Sequence, residues 1–253
     1  MISPTWKLTR MELKMNSETI VLMTTAASIG FFHTLLGPDH YLPFVMMARA
    51  KNWTAFKTAW ITIICGLGHV LSSVMLGVIG IAFAIAVFKL ESIETIRGDF
   101  AAWMLIIFGF SYFAWGIHNL IRGKMGHTHL FGTHKNPYHK HDHDHTHEHD
   151  HNHEHKHSHK ENTAWFLFII FVLGPCEPLI PLLMYPAARS SWMDVTFVTI
   201  IFGLITIGTM LSIVMISVWG LAKIQLASFE KYMHPVSGLV IFFCGVAVKF
   251  LGL

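Results

Sequence analysis

The chain has 253 residues, 53% of them hydrophobic and only 13% charged, with a net charge of +3. Soluble domains carry about 25% charged residues, and the mean hydropathy here is +0.50 although the chain includes a long polar histidine tract. This balance excludes an ordinary soluble enzyme, a wholly disordered chain and a nucleic-acid partner, and it predicts an all-α, multi-pass membrane protein in a lipid bilayer.

In chain order, residues 1–19 form a polar N-terminal tail with three basic residues. The apolar run after it carries His33 and ends in Gly-Pro-Asp-His, not in a small-residue cleavage site, so it reads as a retained span. A hydrocarbon core about 30 Å thick needs about 20 apolar helical residues. Six stretches qualify, near 20–37, 58–88, 101–121, 163–187, 195–221 and 236–253. The expected organisation is a first transmembrane unit at 20–121 with helices 1–3, a His-rich loop at 122–162, and a second unit at 163–253 with helices 4–6. The loops at 38–57, 122–162 and 222–235 hold 11 of the 18 lysines and arginines. The positive-inside tendency therefore puts those loops in the cytoplasm and both termini outside, in a bacterial-type inner membrane.

An internal repeat accompanies these spans. Leu36-Gly37-Pro38-Asp39-His40 recurs as Leu173-Gly174-Pro175-Cys176-Glu177, and Gly66-Leu67 recurs as Gly203-Leu204, both at an offset of 137. Three spans per half is an odd number, so the second half enters the membrane from the opposite side. The expectation is a 3+3 inverted repeat with helices 1 and 4 broken at Gly-Pro, the pattern of secondary transporters.

Polar side chains inside apolar helices mark a site, because a charge there costs about 2.5–3.5 kcal/mol even on lenient scales. His33, Asp39, His40, His69, Cys176 and Glu177 form a transition-metal donor set on this reading, with Ser72, Ser73 and Thr206 as auxiliary oxygen ligands. The three cysteines, Cys65, Cys176 and Cys244, lie singly and form no CxxC pair. Fourteen of the 19 histidines fall in residues 127–159: His127, His129, His134, His139, His141, His143, His145, His147, His149, His151, His153, His155, His157 and His159. Such dense imidazoles, alternating with acids, read as a disordered metal-capture loop.

His33 with Gly37-Pro38-Asp39-His40, Gly66-Leu67-Gly68-His69, the His-rich loop and Gly174-Pro175-Cys176-Glu177 resemble the nickel/cobalt exporter (NicO-type) family and its urease-accessory (UreH-like) relatives. The resemblance implies divalent-metal translocation, with His33, Asp39, His40 and His69 as ligands. On that footing the expected function is transport of nickel or cobalt, with zinc admissible, by proton-coupled efflux through alternating access. Metal ions and protons would then be its substrates. The chain would be no enzyme and hold no permanent cofactor, and a homo-oligomer is compatible with the sequence. One alternative is a metal-buffering accessory protein for urease-type assembly. The other is a membrane thiol–disulfide electron carrier, a class this sequence also resembles. Such carriers place one reactive cysteine in each half; here Cys176 has Asp39 at its repeat partner position.

Overall fold

A computed structural model describes residues 4–122, 162–189, 191–223 and 231–252, and the described residues are helical with no strand. The order is α1 (Pro4–Leu36), a 3-10 turn (Pro38–His40), α2 (Leu42–Ala50), α3 (Ala55–Ala82), α4 (Val87–Ile121), α5 (Asn162–Leu173), α6 (Leu179–Ala188), α7 (Trp192–Lys223) and α8 (Met233–Leu251). Five of these helices contain stretches long and apolar enough to cross a membrane: 17–36, 55–82, 87–121, 192–221 and 233–251. Five such helices in a chain with only 13% charged residues make this a multi-pass membrane protein.

The fourth expected span, 163–187, breaks at Gly-Pro as expected, into two short helices, because Pro175 and Pro178 remove ladder donors and Gly174 precedes a proline. Two boundaries depart from the expected spans, the end of the second and the start of the third, each for a local reason. The second ends at Ala82 rather than near 88; Phe83 closes the helix and Ala84 turns the chain at φ 49°. The third begins at Val87 rather than 101, so the charged stretch 89–99 is helical rather than a connection. Three of its charges are paired: Glu94 with Arg97 at 2.7 Å, and Asp99 with Lys249 of α8 at 2.6 Å.

Helix ends follow from their sequences. Thr54 caps α3, its hydroxyl accepting from the Lys57 N–H at 3.2 Å. Pro38 sits at the start of the 3-10 turn, where a missing N–H costs nothing. Large apolar side chains such as Phe32, Trp60, Leu71, Phe110, Leu204 and Phe243 are exposed. In a bilayer these are the lipid-facing surfaces, so their exposure is favourable.

With no hydrophobic drive between helices in lipid, close backbone approach holds the bundle. The longest helix pairing is α4 against α8, where Gly109 faces the Gly238 and Phe242 backbone. A β-carbon at Gly109 or Gly238 would collide with that facing backbone, which cannot yield. Two buried apolar clusters fill the interior. One gathers Phe44, Met47, Cys65, Leu105, Phe171 and Met210; the other gathers Val70, Cys176, Leu179, Leu183 and Phe202. The two interrupted segments, Gly37–Tyr41 and Gly174–Pro178, bring His40 and Cys176 into the interior.

Candidate functional site

His33 occupies the last turn of α1, immediately before the break. The Gly37 N–H still closes that turn on the His33 carbonyl at 3.0 Å, after which Pro38 diverts the chain. The 3-10 turn then folds His40 back over Gly37. A β-carbon at Gly37 would lie 2.5 Å from His40 Nδ1, so this fold-back requires glycine for space rather than for an unusual φ. His69 comes from the middle of α3 and is buried. The three imidazoles stand edge to face in a row, His33 to His40 at 4.8 Å and His40 to His69 at 5.2 Å between ring centres.

The hydrogen bonds define which nitrogens are available. His69 Nδ1 lies 3.2 Å from the Phe171 carbonyl oxygen, which can only accept, so Nδ1 carries the proton and Nε2 of the neutral ring is bare. His40 Nδ1 likewise donates to the Gly37 carbonyl at 3.2 Å and lies 3.1 Å from Asp39 Oδ1. The Nε2 atoms of His33, His40 and His69 are all buried with no hydrogen-bond partner. An unpartnered buried polar atom is costly, so three of them in one place mark a site built to receive something.

Cys176 enters from the other break. It is fully buried, and its thiol lies within 4.8 Å of ligand nitrogens of His33 and His69, which are also within 4.8 Å of each other. Thus α1, α3 and the α5–α6 break each supply one donor. Gly98 of α4 packs on the break itself; a β-carbon there would lie 2.7 Å from the Pro175 ring. A cavity of about 20 Å³ lies alongside, lined by Asp39, His40, His69, Phe171, Gly174 and Pro175 among others.

Of the expected donors, His33, His69 and Cys176 converge, with His40 standing between the two other imidazoles. Asp39 is tied to His40 and partly exposed. Glu177 points outward and is exposed, so it does not join the set among the described residues. Ser72 bonds to the His69 carbonyl at 2.8 Å and accepts from Arg97 at 2.7 Å, a bracing role. Ser73 and Thr206 are buried with unpartnered hydroxyls. The histidine tract, His127 to His159, lies outside the described residues. His234 bonds to the Tyr112 hydroxyl at 2.8 Å instead. Nearby, in the turn after α2, Lys51 sits 5.5 Å over the Tyr112 ring, and burial holds its ammonium below the usual lysine range.

Sequence reasoning missed Glu94 and Arg97. Arg97 donates to Glu94 at 2.7 Å and, through its second nitrogen, to the Val172 carbonyl at 2.8 Å, tying α4 to the last turn of α5. The Glu94 side chain is fully buried, faces Ser73 and Cys176, and keeps one oxygen unpartnered. The signal available was an acid and a base three residues apart, the spacing of a helical ion pair.

The chain matches the family described as the cytochrome c biogenesis protein transmembrane region over residues 42–247, and it belongs to that family. No curated protein and no solved structure matches it. The family corrects the resemblance drawn from the motifs: the chain is not placed among nickel/cobalt exporters, and transport of nickel or cobalt by efflux does not stand. The physical reason lies in what those motifs report. Gly-Pro breaks with flanking polar residues describe how helices are interrupted in a bilayer, and they do not specify the cargo.

Proposed function

We propose that this chain is a membrane thiol-based electron carrier of the cytochrome c biogenesis type, with the Cys176 thiol as its reactive group. The carrying observation is the family match over 42–247 together with a cysteine set in a helix break beside two imidazoles. A neighbouring imidazole is what turns a thiol into a nucleophile, and the bare Nε2 of His69 is free to take the thiol proton.

The chain is further proposed to be a 3+3 inverted repeat, α1–α4 against α5–α8, with each Gly-Pro break reaching the midplane. Element boundaries support this. Shifting Leu42 and Ala55 by the sequence offset of 137 gives 179 and 192, the first residues of α6 and α7. The packing also supports it. Exchanging the halves turns the α1–α7 contact into α5–α3, and α2–α7 into α6–α3, and all four pairs touch. A β-carbon at Gly66 would meet Ile207, and one at its repeat partner Gly203 would meet Val70, the repeat partner of Ile207.

All three cysteines are free and buried, and Cys65 packs in a different cluster from Cys176. The relay therefore uses partners. The Cys176 thiolate attacks the disulfide of an acceptor protein, forming a mixed disulfide and releasing one acceptor thiolate, which takes the proton held by the imidazole. One thiolate of a dithiol donor then attacks the Cys176 sulfur and frees the reduced acceptor. The donor's second thiolate resolves that bond and restores Cys176. The net exchange oxidises one dithiol and reduces one disulfide, two electrons in all. Access requires the Gly174–Pro178 segment to shift. With Cys176→Ser the acceptor protein should accumulate oxidised, whereas Cys65→Ser and Cys244→Ser should leave it reduced. An acceptor still reduced with Cys176→Ser refutes the relay.

A further inference from the structure

We propose that His33, His69 and Cys176 form a trigonal copper site of two imidazoles and one thiolate. This does not rest on the relay, since it stands on the donor geometry alone. The three ligand atoms lie within 4.8 Å of one another, contributed by α1, α3 and the α5–α6 break. Around a metal at about 2.0–2.3 Å, such donors sit roughly 3.5–4 Å apart. Each would therefore move inward by up to about an ångström, the scale of a side-chain adjustment.

Two further observations point to a ligand. His33 Nε2 and His69 Nε2 are buried without a hydrogen-bond partner. His69 is also oriented from behind, its Nδ1–H held by the Phe171 carbonyl, the arrangement that fixes a metal-binding tautomer. Gly174 leaves room for it: a β-carbon there would lie 3.3 Å from His69 Nδ1.

Softness and charge select the metal. A thiolate among imidazoles selects copper or zinc over harder ions, and the two-histidine, one-cysteine trigonal set is a copper arrangement. Structural zinc takes four donors; His40, the remaining imidazole with a bare Nε2, is held to Asp39 and lies outside the three atoms that approach within 4.8 Å. A single thiolate neutralises Cu(I), leaving no net charge in an apolar interior. Val70, Leu179 and Phe202, packed in the cluster around Cys176, provide that interior.

The test is X-ray absorption at the copper edge on the purified full chain, loaded anaerobically with one equivalent of Cu(I). The histidine tract competes for copper but offers only nitrogen and oxygen, so a sulfur shell excludes the tract, and its loss with Cys176→Ser alone assigns it to this site rather than to a methionine or another cysteine. A copper–sulfur shell is expected in the wild type, with Cys65→Ser and with Cys244→Ser. It should be lost with Cys176→Ser, and a shell of lower nitrogen count should remain with His33→Ala. A nitrogen-only shell in the wild type overturns the proposal, as does displacement of copper from sulfur by equimolar zinc. Because the wild-type spectrum is decisive, misfolding of a variant does not obscure the result. The readout needs no disulfide partner, so its failure is distinct from failure of the relay.

Discussion

At the scale of single residues, the centre depends on which atoms are satisfied and which are left bare. His69 is anchored through Nδ1 and open through Nε2, and the pair Glu94–Arg97 braces the helices on either side of it. Arg97 is mostly buried and Glu94 wholly so. Removing the guanidinium strands a carboxylate in the interior, a change that costs about 3–5 kcal/mol. Arg97→Ala should therefore lower the unfolding midpoint in detergent strongly, and pairing it with Glu94→Gln should recover much of the loss. Equal midpoints for Arg97→Ala and the wild type would refute a buried ion pair. The histidines and Cys176 were legible in sequence because each is a lone polar group in an apolar run. Glu94 was not, because Lys89, Glu91, Glu94, Arg97 and Asp99 together look like a connection. Only the facing Val172 carbonyl, Ser72 and Lys249 reveal that Glu94, Arg97 and Asp99 are satisfied within the bundle. Glu177 was misjudged for the converse reason. Apolar neighbours on both sides suggested an inward carboxylate, but the break at Pro175 and Pro178 turns it out.

At the scale of elements, the two interruptions carry the chemistry, and α4 holds one of them in place. Pro175 lies against Gly98 so closely that no side chain fits between them. Since a proline ring cannot yield as a flexible side chain would, Gly98→Val should cost about 1–3 kcal/mol as overpacking and push Cys176 away from His33 and His69. Differential alkylation of denatured and native protein should then find Cys176 more reactive to a small membrane-permeant reagent in that variant. Unchanged protection would mean that α4 does not position the break. The breaks themselves were readable in the sequence, as proline and glycine signals are the strongest local punctuation. The expected break of the fourth span at Gly174-Pro175 is where 163–187 divides into α5 and α6; what the sequence left open is which side chains the break turns inward.

At the scale of the whole molecule, the repeat and the crossing pattern go together. If α5 and α6 jointly make one crossing, the chain crosses six times and both termini lie on one side of the membrane. Reporter fusions at residue 1 and residue 253 should then report the same compartment, outside by the positive-inside tendency. Opposite compartments would make α5–α6 a re-entrant pair and break the match between the halves. Multi-pass character followed directly from composition. The family did not, because the repeat and the Gly-Pro motifs constrain architecture, while what moves through it depends on which donors meet, a property of packing that the linear chain hides.

The central claim, that Cys176 carries electrons through disulfide exchange, is tested most directly by trapping it. Membranes quenched with acid and alkylated should yield, by mass spectrometry, a disulfide joining the Cys176 peptide to a dithiol partner. That species should be enriched when the partner's resolving cysteine is removed. Recovery of Cys176 solely as the free thiol under those conditions, with partner disulfides unchanged, would contradict the account.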